Sequence, residues 1–413
     1  MKKTILCIGT LDTKGPELAY IKHLINRKRG YSALVMDISS LGEAPFTADI
    51  TTEEVAKAAG STIEQVRSLK EGGPATTIMT RGAIKIAKEL YNSGKFQGVI
   101  SVGGGSGTAM TSAVMRELPI GLPKFMLVSQ KIVQAGIRKY VGTKDIVVMP
   151  SVADVAGLNR LTKDALNQAA GAITGMVGVG KALRLRSGQA EATEKELVFM
   201  TMTGLSTGCG LKVQSLLEER GFEVVVFHTI GVGGETFEDM VKSYPVKGVI
   251  ELGLNEIGNE LLGGMASAGP HRLEAAGEKG IPQIVTPGNV DIINFLAPET
   301  LPERYRNRVI AYHNPQATLP RVNAEELKLI GETMAKKLNR ATGPVKVLIP
   351  LRGFSSLDIE GNPFHDPKAD QAFIASLKSS LKNSIPVREI DAHINDAEFA
   401  EAVSNEFMDI IRV

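Results

Sequence analysis

The stretch GVISVGGGSGTAMTSAVM, residues 98 to 115, decides how the chain reads. An apolar, β-branched run ends in Gly103, Gly104, Gly105, Ser106, Gly107 and Thr108, and a helical pattern follows from Ala109. Such a run predicts a strand buried on both faces. Successive glycines let backbone N–H groups converge without Cβ obstruction, and the helix start adds the positive end of its dipole. The loop therefore reads as a cradle for phosphate or another anion, with the Ser106 and Thr108 hydroxyls as further donors. It lacks the Gly-Lys-Ser/Thr of a Walker loop, and it follows a later strand than a dinucleotide fingerprint would. A tight strand-to-helix turn is the competing reading.

Outward from this stretch, short apolar runs alternate with helix-length segments. TILCI at 4–8, ALVMDI at 33–38 and KFMLVS at 124–129 read as strands, and Pro16 to Lys28 carries a helical apolar stripe. Alternation of this kind predicts an α/β fold with a parallel sheet. The polar segment RSGQAEATEKE interrupts the pattern, after which LVFMT at 197–201, VVVFH at 224–228, GVIEL at 248–252, QIVTP at 283–287 and VKVLIP at 345–350 resume it. The expected organisation is an N-terminal α/β nucleotide-binding domain over 1–185, a linker over 186–196 and a C-terminal α/β domain over 197–413. The halves also resemble each other: FQGVISVGGG at 96–105 parallels VKGVIELGLN at 246–255, and Leu11 and Thr13 align with Leu205 and Thr207. Two doubly wound, Rossmann-like domains arising by duplication fit a period near half the chain, although any two βαβ units share part of that pattern. Their sheet-edge crevices are candidates for a cleft between the domains.

Composition narrows the function. The 413 residues are 43% apolar, and 47 Lys plus Arg balance 45 Asp plus Glu for a net charge of +2. Neither nucleic acid nor an anionic membrane is favoured by that balance. Two cysteines exclude a disulfide framework, the apolar stretch at the N-terminus stops at Gly9, and no segment has the length to span a bilayer. A cytoplasmic protein is expected. Forty-three glycines and no tryptophan point to many tight loops.

Candidate ligand residues gather at predicted strand ends. In the first half these are Gly9, Thr10, Asp12, Thr13 and Lys14 after the first strand, with Lys14 offsetting phosphate charge. Asp12 and Thr13 fit equally the cap of the next helix. Asp37 ends the second strand, where an acidic residue can hold a ribose hydroxyl or cap a loop. Arg81 starts a helix and is a phosphate candidate or a solvated surface arginine. In the second half Thr203, Gly204 and Thr207 recur between strand and helix, and Asn289, Arg352 and Ser355 follow later strands. Arg352 is a candidate carboxylate or phosphate clamp. Glu251 and Asp291, with His313, are candidate acid/base groups. No fixed metal-ligand spacing occurs, so a protein-held metal is not expected.

Three segments together, IGTLDTKGPEL, SVGGGSGTAMTSAVMRELPIGLPK and PLRGFSSLDIEGNPFHDPKAD, resemble the Tm-one-like ATP-binding domain family, which includes bacterial proteins of this length and the N-terminal part of a plant tomato mosaic virus resistance protein. The resemblance covers essentially the whole chain. It implies two α/β domains, binding of ATP or a related nucleotide, and a homodimer; with a nucleotide bound, Mg²⁺ is expected to accompany the phosphates as a hydrated ion. On this chain the family pattern falls on Gly103 to Thr108 and on Gly9, Thr10, Asp12 and Thr13. An enzyme acting on a small phosphorylated or carboxylated metabolite through Glu251, Asp291 and His313, and a regulatory module stabilised by its ligand, are the alternative expectations.

Overall fold

In a computed structural model, described for residues 2–69, 72–179 and 195–412, the chain divides into two compact units, Met1–Arg184 and Leu185–Val413. The expected linker 186–196 lies outside the described residues except for its last two positions.

The N-terminal unit is built on β1 (Lys3–Gly9), β2 (Tyr31–Asp37), β3 (Gly98–Gly103), β4 (Lys124–Val128) and β5 (Ile146–Pro150). All neighbours pair in parallel, in the order β2-β1-β3-β4-β5. Chain order reverses between β1 and β3, which makes their C-terminal ends a topological switch point. Alternate residues feed the two faces. Leu6 and Ile8 pack with Met79 and Val114 on one side, while Ile5 and Cys7 pack with Leu18 and Ile173 on the other. Burial pushes the Cys7 thiol up to about 12, so it acts as a small apolar filler. Helix Gly72–Asn92 lies beside helix Gly105–Arg116 over the first face, and helices Leu11–Arg27 and Arg160–Val179 cover the second.

The C-terminal unit repeats the plan. Its strands are β6 (Leu197–Met202), β7 (Glu223–His228), β8 (Gly248–Glu251), β9 (Gln283–Val285), β10 (Ile310–Asn314), β11 (Ala317–Pro320), β12 (Val345–Pro350) and β13 (Val387–Ile390). The order β7-β6-β8-β9-β12-β13 matches that of the N-terminal unit with one strand added. Strands β10 and β11 form a separate antiparallel hairpin between β9 and β12. Short parallel strands of β-branched residues, each followed by a polar loop, thus place two sets of polar loops at two switch points. The two α/β parallel-sheet domains read from the sequence are present. The β10–β11 hairpin and the short edge strand β13 are additions that apolar runs do not reveal, because edge and hairpin strands need no continuous buried face.

Candidate functional site

At the N-terminal switch point, the helix Gly105–Arg116 begins directly after β3, with Gly104 as its extended, side-chain-free cap. The Thr108 N–H closes onto the Gly104 carbonyl at 2.9 Å, so the earlier N–H groups of the first turn point forward. A Cβ on Gly103 would stand 2.8 Å from the Thr108 nitrogen and 3.0 Å from its Oγ1, and therefore only glycine fits there. Gly104 and Gly105 differ: a Cβ on either meets no atom within 4 Å, so open space lies in front of the helix start. Thr108 is buried, and its Oγ1 has no hydrogen-bond partner among the described residues. Across the switch, a Cβ on Gly107 would sit 3.5 Å from Thr10 Oγ1, and the Thr10 and Thr13 hydroxyls are 2.8 Å apart. The two glycine loops therefore meet. Beside them a groove of about 480 Å³ is lined by Ser106 and Met110 on one helix and by Thr76, Thr77, Thr80 and Arg81 on the other.

Some side chains expected at this mouth brace it instead. Asp37 is buried, and its Oδ1 accepts from the Leu11 N–H at 3.1 Å, the Ser39 N–H at 2.9 Å and the Ser39 hydroxyl at 2.5 Å. Its carboxyl is raised by burial, with the Ser39 and Leu11 hydrogen bonds pulling it back. Asp37 thus fixes the β1 loop rather than offering that oxygen to a ribose. Lys14 Nζ donates to the Val155 carbonyl, which corrects the reading of Lys14 as a phosphate counter-charge. Asp12 Oδ2 accepts from the Gly42 N–H at 3.1 Å, while its Oδ1 has no partner among the described residues. Arg81 donates to the Ala59 carbonyl at 2.9 Å and still borders the groove.

The corresponding edge of the C-terminal unit is filled with its own charges. Arg272, 1% exposed, grips Glu251 through two 2.6 Å contacts, and contacts Glu256 at 2.7 Å and Glu238 at 3.1 Å. Glu256 Oε1 also accepts from the Gly231 and Gly234 N–H groups at 2.7 and 3.0 Å, so a side-chain carboxylate occupies the start of helix Val232–Ser243. Glu238 accepts the N–H groups of Leu273 and Ala275 at 2.5 and 2.7 Å in the same manner. One guanidinium faces three carboxylates. Burial accordingly raises Glu238 and Glu256, with Arg272 opposing the rise.

A second buried cluster joins β6, β9 and β12. Asn289 Oδ1 accepts from the hydroxyls of Thr203 at 2.8 Å and Ser206 at 3.0 Å, and Asp291 Oδ2 accepts from the Ser355 hydroxyl at 2.6 Å. Burial pushes the Asp291 carboxyl up to about 6, against the pull of nearby Arg321. Arg321 pairs with Asp370 at 2.6 Å and lies 3.8 Å from Asp358.

Models of two domains match the chain consecutively: the Uncharacterised protein family (UPF0261) N-terminal domain over residues 3–182 and the C-terminal domain over 195–411. The chain belongs to the UPF0261 family. A UPF0261 protein of Clostridium tetani is 40% identical over 412 residues, covering 100% of both chains. One from Rhizobium meliloti is 36% identical over 410 residues, covering 99% of each. The ToMV resistance protein Tm-1(GCR237) of Solanum lycopersicum is 33% identical and covers 98% of this chain but 55% of its own length. The resemblance to the Tm-one-like proteins is thus a family relationship. Among solved structures, a UDP-GlcNAc 2-epimerase from Neisseria meningitidis is similar at 10% identity and a TM-score of 0.25, covering 68% of this chain and 82% of that one, which carries no functional argument.

In this UPF0261 chain the switch point gathers Gly9, Thr10, Thr13, Gly103, Gly104, Gly105, Ser106, Gly107 and Thr108, with Arg81 at its rim. Three candidates in the C-terminal unit need correction. Glu251, placed as an acid/base group, has both oxygens committed to Arg272 and one also to the Thr201 hydroxyl at 2.8 Å. Arg352, placed as an anion clamp, is exposed and already holds the exposed Asp391 through two 2.8 Å contacts. Thr207 donates back to the Thr203 and Gly204 carbonyls at 3.1 and 3.0 Å, within its own turn. Gly204 keeps open space beside it, and the side chain of His313 lies outside what is described. Sequence reading passed over Arg272, Glu238 and Glu256. Glu238 lies inside helix Val232–Ser243 and Glu256 in the first turn of helix Asn255–Leu262, so nothing local in the sequence marks them as the carboxylates that a distant arginine will meet.

Proposed function

We propose that the N-terminal unit binds ATP or a related nucleotide, with phosphate oxygens on the backbone N–H groups of Gly105, Ser106 and Gly107. The observation that carries this reading is the open helix start at Gly104 and Gly105 together with the buried, unpartnered Thr108 Oγ1 behind it. Backbone N–H groups and the dipole at a helix start favour a multiply charged anion. The Thr108 hydroxyl supplies one more donor, and Arg81 and Ser106 border the groove into which the rest of the nucleotide can extend. Among the described residues no cluster of three or more His, Cys, Asp or Glu side chains is arranged to hold a metal. Mg²⁺ would enter on the phosphates and keep much of its water.

The reading is tested with Gly104→Leu. Gly104 has φ −85°, which any residue adopts, and a Cβ there touches nothing, so the variant keeps its fold while its side chain fills the space before the helix. Wild-type protein should show saturable ATP·Mg²⁺ binding in calorimetry, and the variant should lose at least about tenfold in affinity, one hydrogen-bonded contact to a charged group being worth that much. Equal affinity in both proteins would remove the glycine loop from the site. Homodimer formation belongs to the same reading and is checked by sedimentation with and without ATP.

A further inference from the structure

The N-terminal unit holds a second cavity, of about 440 Å³, at the C-terminal end of β2. Its walls come from the loop after β2, the start of helix Thr52–Ala58 and Arg67 of helix Ile63–Ser68. This is the sheet edge at which α/β folds take ligands. Asp37, the last residue of β2, lines it and is only 4% exposed. All three hydrogen bonds to its carboxylate fall on Oδ1, and Oδ2 accepts from no described residue. Oδ2 is not sealed inside the protein, so the cavity is what it faces. Burial raises this carboxyl and Asp12 adds to the rise; hydrogen bonds from Ser39 and Leu11, rather than a cation, oppose it. A buried carboxylate is ordinarily paired with a positive group. The local cations are already engaged. Arg67 donates to the Gly42 carbonyl at 3.1 Å and its charge acts on Glu53, while Lys22, over the Phe46 ring, pairs with Asp49 at 3.0 Å. With Glu43 and Glu53, three carboxylates line the cavity against one guanidinium.

We infer that this cavity binds a small aliphatic amine, whose ammonium group donates to Asp37 Oδ2 and whose charge is balanced further by Glu43. An ammonium is a compact cation with three donors and no acceptor. It suits a carboxylate oxygen in a cavity that also presents the Thr47 and Thr51 hydroxyls. A metal ion fits less well, because it needs oxygen ligands converging at about 2–2.6 Å. Among the described residues no three carboxylate, histidine or cysteine side chains converge in that way. The carboxylate surplus repels an anion, and a neutral ligand leaves Asp37 without the counter-charge that its burial calls for. The inference is independent of the nucleotide reading, since this cavity shares no lining residue with the groove beside Ser106.

The test is calorimetry of the full chain, without nucleotide, against methylamine, putrescine and spermidine, with tetramethylammonium as a cation that has no N–H to donate. At least one amine should bind saturably, and tetramethylammonium should not. Asp37→Asn keeps an oxygen for Leu11 and Ser39 but puts an NH₂ donor where Oδ2 faces the cavity, and should weaken amine binding about tenfold or more. Glu43→Gln alters only an exposed wall residue, should weaken it about threefold, and stands in if the first variant does not fold. ATP binding should be unchanged in Glu43→Gln. Failure of all three amines to bind, equal affinity in wild type and variants, equal binding of tetramethylammonium, or a nucleotide ribose seated on Asp37 Oδ2 in a crystal structure with ATP would each overturn the inference.

Discussion

The helix after β3 and the helix after β8 begin at matching places and are treated in opposite ways. Gly98 and Gly248 each open their strand, and seven residues on Gly105 and Asn255 each open a helix. In the N-terminal unit the intervening loop is glycine, and the space before the helix is open. In the C-terminal unit the same stretch carries Leu252, Leu254, Asn255 and Glu256, all buried. There Glu256 reaches across to cap the start of a neighbouring helix, and Arg272 balances it. The N-terminal unit leaves the helix start after β3 open, while the C-terminal unit packs the matching turn with buried side chains and closes two other helix starts, those of Val232–Ser243 and Ala275–Glu278, with its own carboxylates. A shared topology therefore fixes where a site can be, and the side chains in the turn decide whether it is available.

That contrast can be broken most severely at Arg272. Arg272→Met leaves three carboxylates buried without their cation. Breaking a buried pair in this way costs about 3–5 kcal/mol, so cooperative urea unfolding of the C-terminal unit should be largely lost. A variant as stable as wild type would show that the cluster is not what holds this edge together. Gly103→Ala attacks the other copy. Its Cβ would press on the Thr108 nitrogen, and a cost of about 1–3 kcal/mol is expected from overpacking, read as a lowered urea midpoint.

The charge surplus in the C-terminal unit also predicts a pH dependence. Asp370 is pushed up to about 8 by burial, with Arg321 opposing. Its folded form binds a proton that the unfolded chain releases near the ordinary carboxylate value, so stability is lost as pH rises toward and through 8. A decline of roughly 1 kcal/mol per unit between pH 7 and 8 is expected, and Asp370→Asn should flatten it. A profile unchanged by that substitution would place the proton elsewhere. Gly104→Leu should change unfolding little while abolishing nucleotide-dependent stabilisation, which separates an open helix start from a structural one. Smallest of all, Arg352→Ala should leave stability unaltered, since its pair with Asp391 is solvated.

The pattern of apolar runs was enough to read the parallel strands and their repetition, because strands buried on both faces require continuous β-branched sequence wherever they occur. The Gly103–Thr108 loop was legible for a similar reason: at Gly103 close approach of the Thr108 nitrogen excludes a side chain, and that exclusion is written locally as glycine, while Gly104 and Gly105 leave the space before the helix open. Asp37, Glu251 and Arg352 show where local reading ends. Each lies at or just past the end of a strand, as a ligand residue would, yet each gives at least one side-chain atom to a partner distant in sequence: Leu11 for Asp37, Arg272 for Glu251, Asp391 for Arg352. A strand end specifies position along the chain, whereas the partner of a charged group depends on what the fold brings within about 3 Å of it. By itself, then, the sequence determined the two α/β units, their common plan and the glycine cradle. Only the tertiary structure decided that the turn after β3 stands open while the matching turn after β8 is packed with buried side chains, and that Glu251, Glu256 and Glu238 gather on Arg272, because pairing of polar groups is settled by three-dimensional proximity and burial.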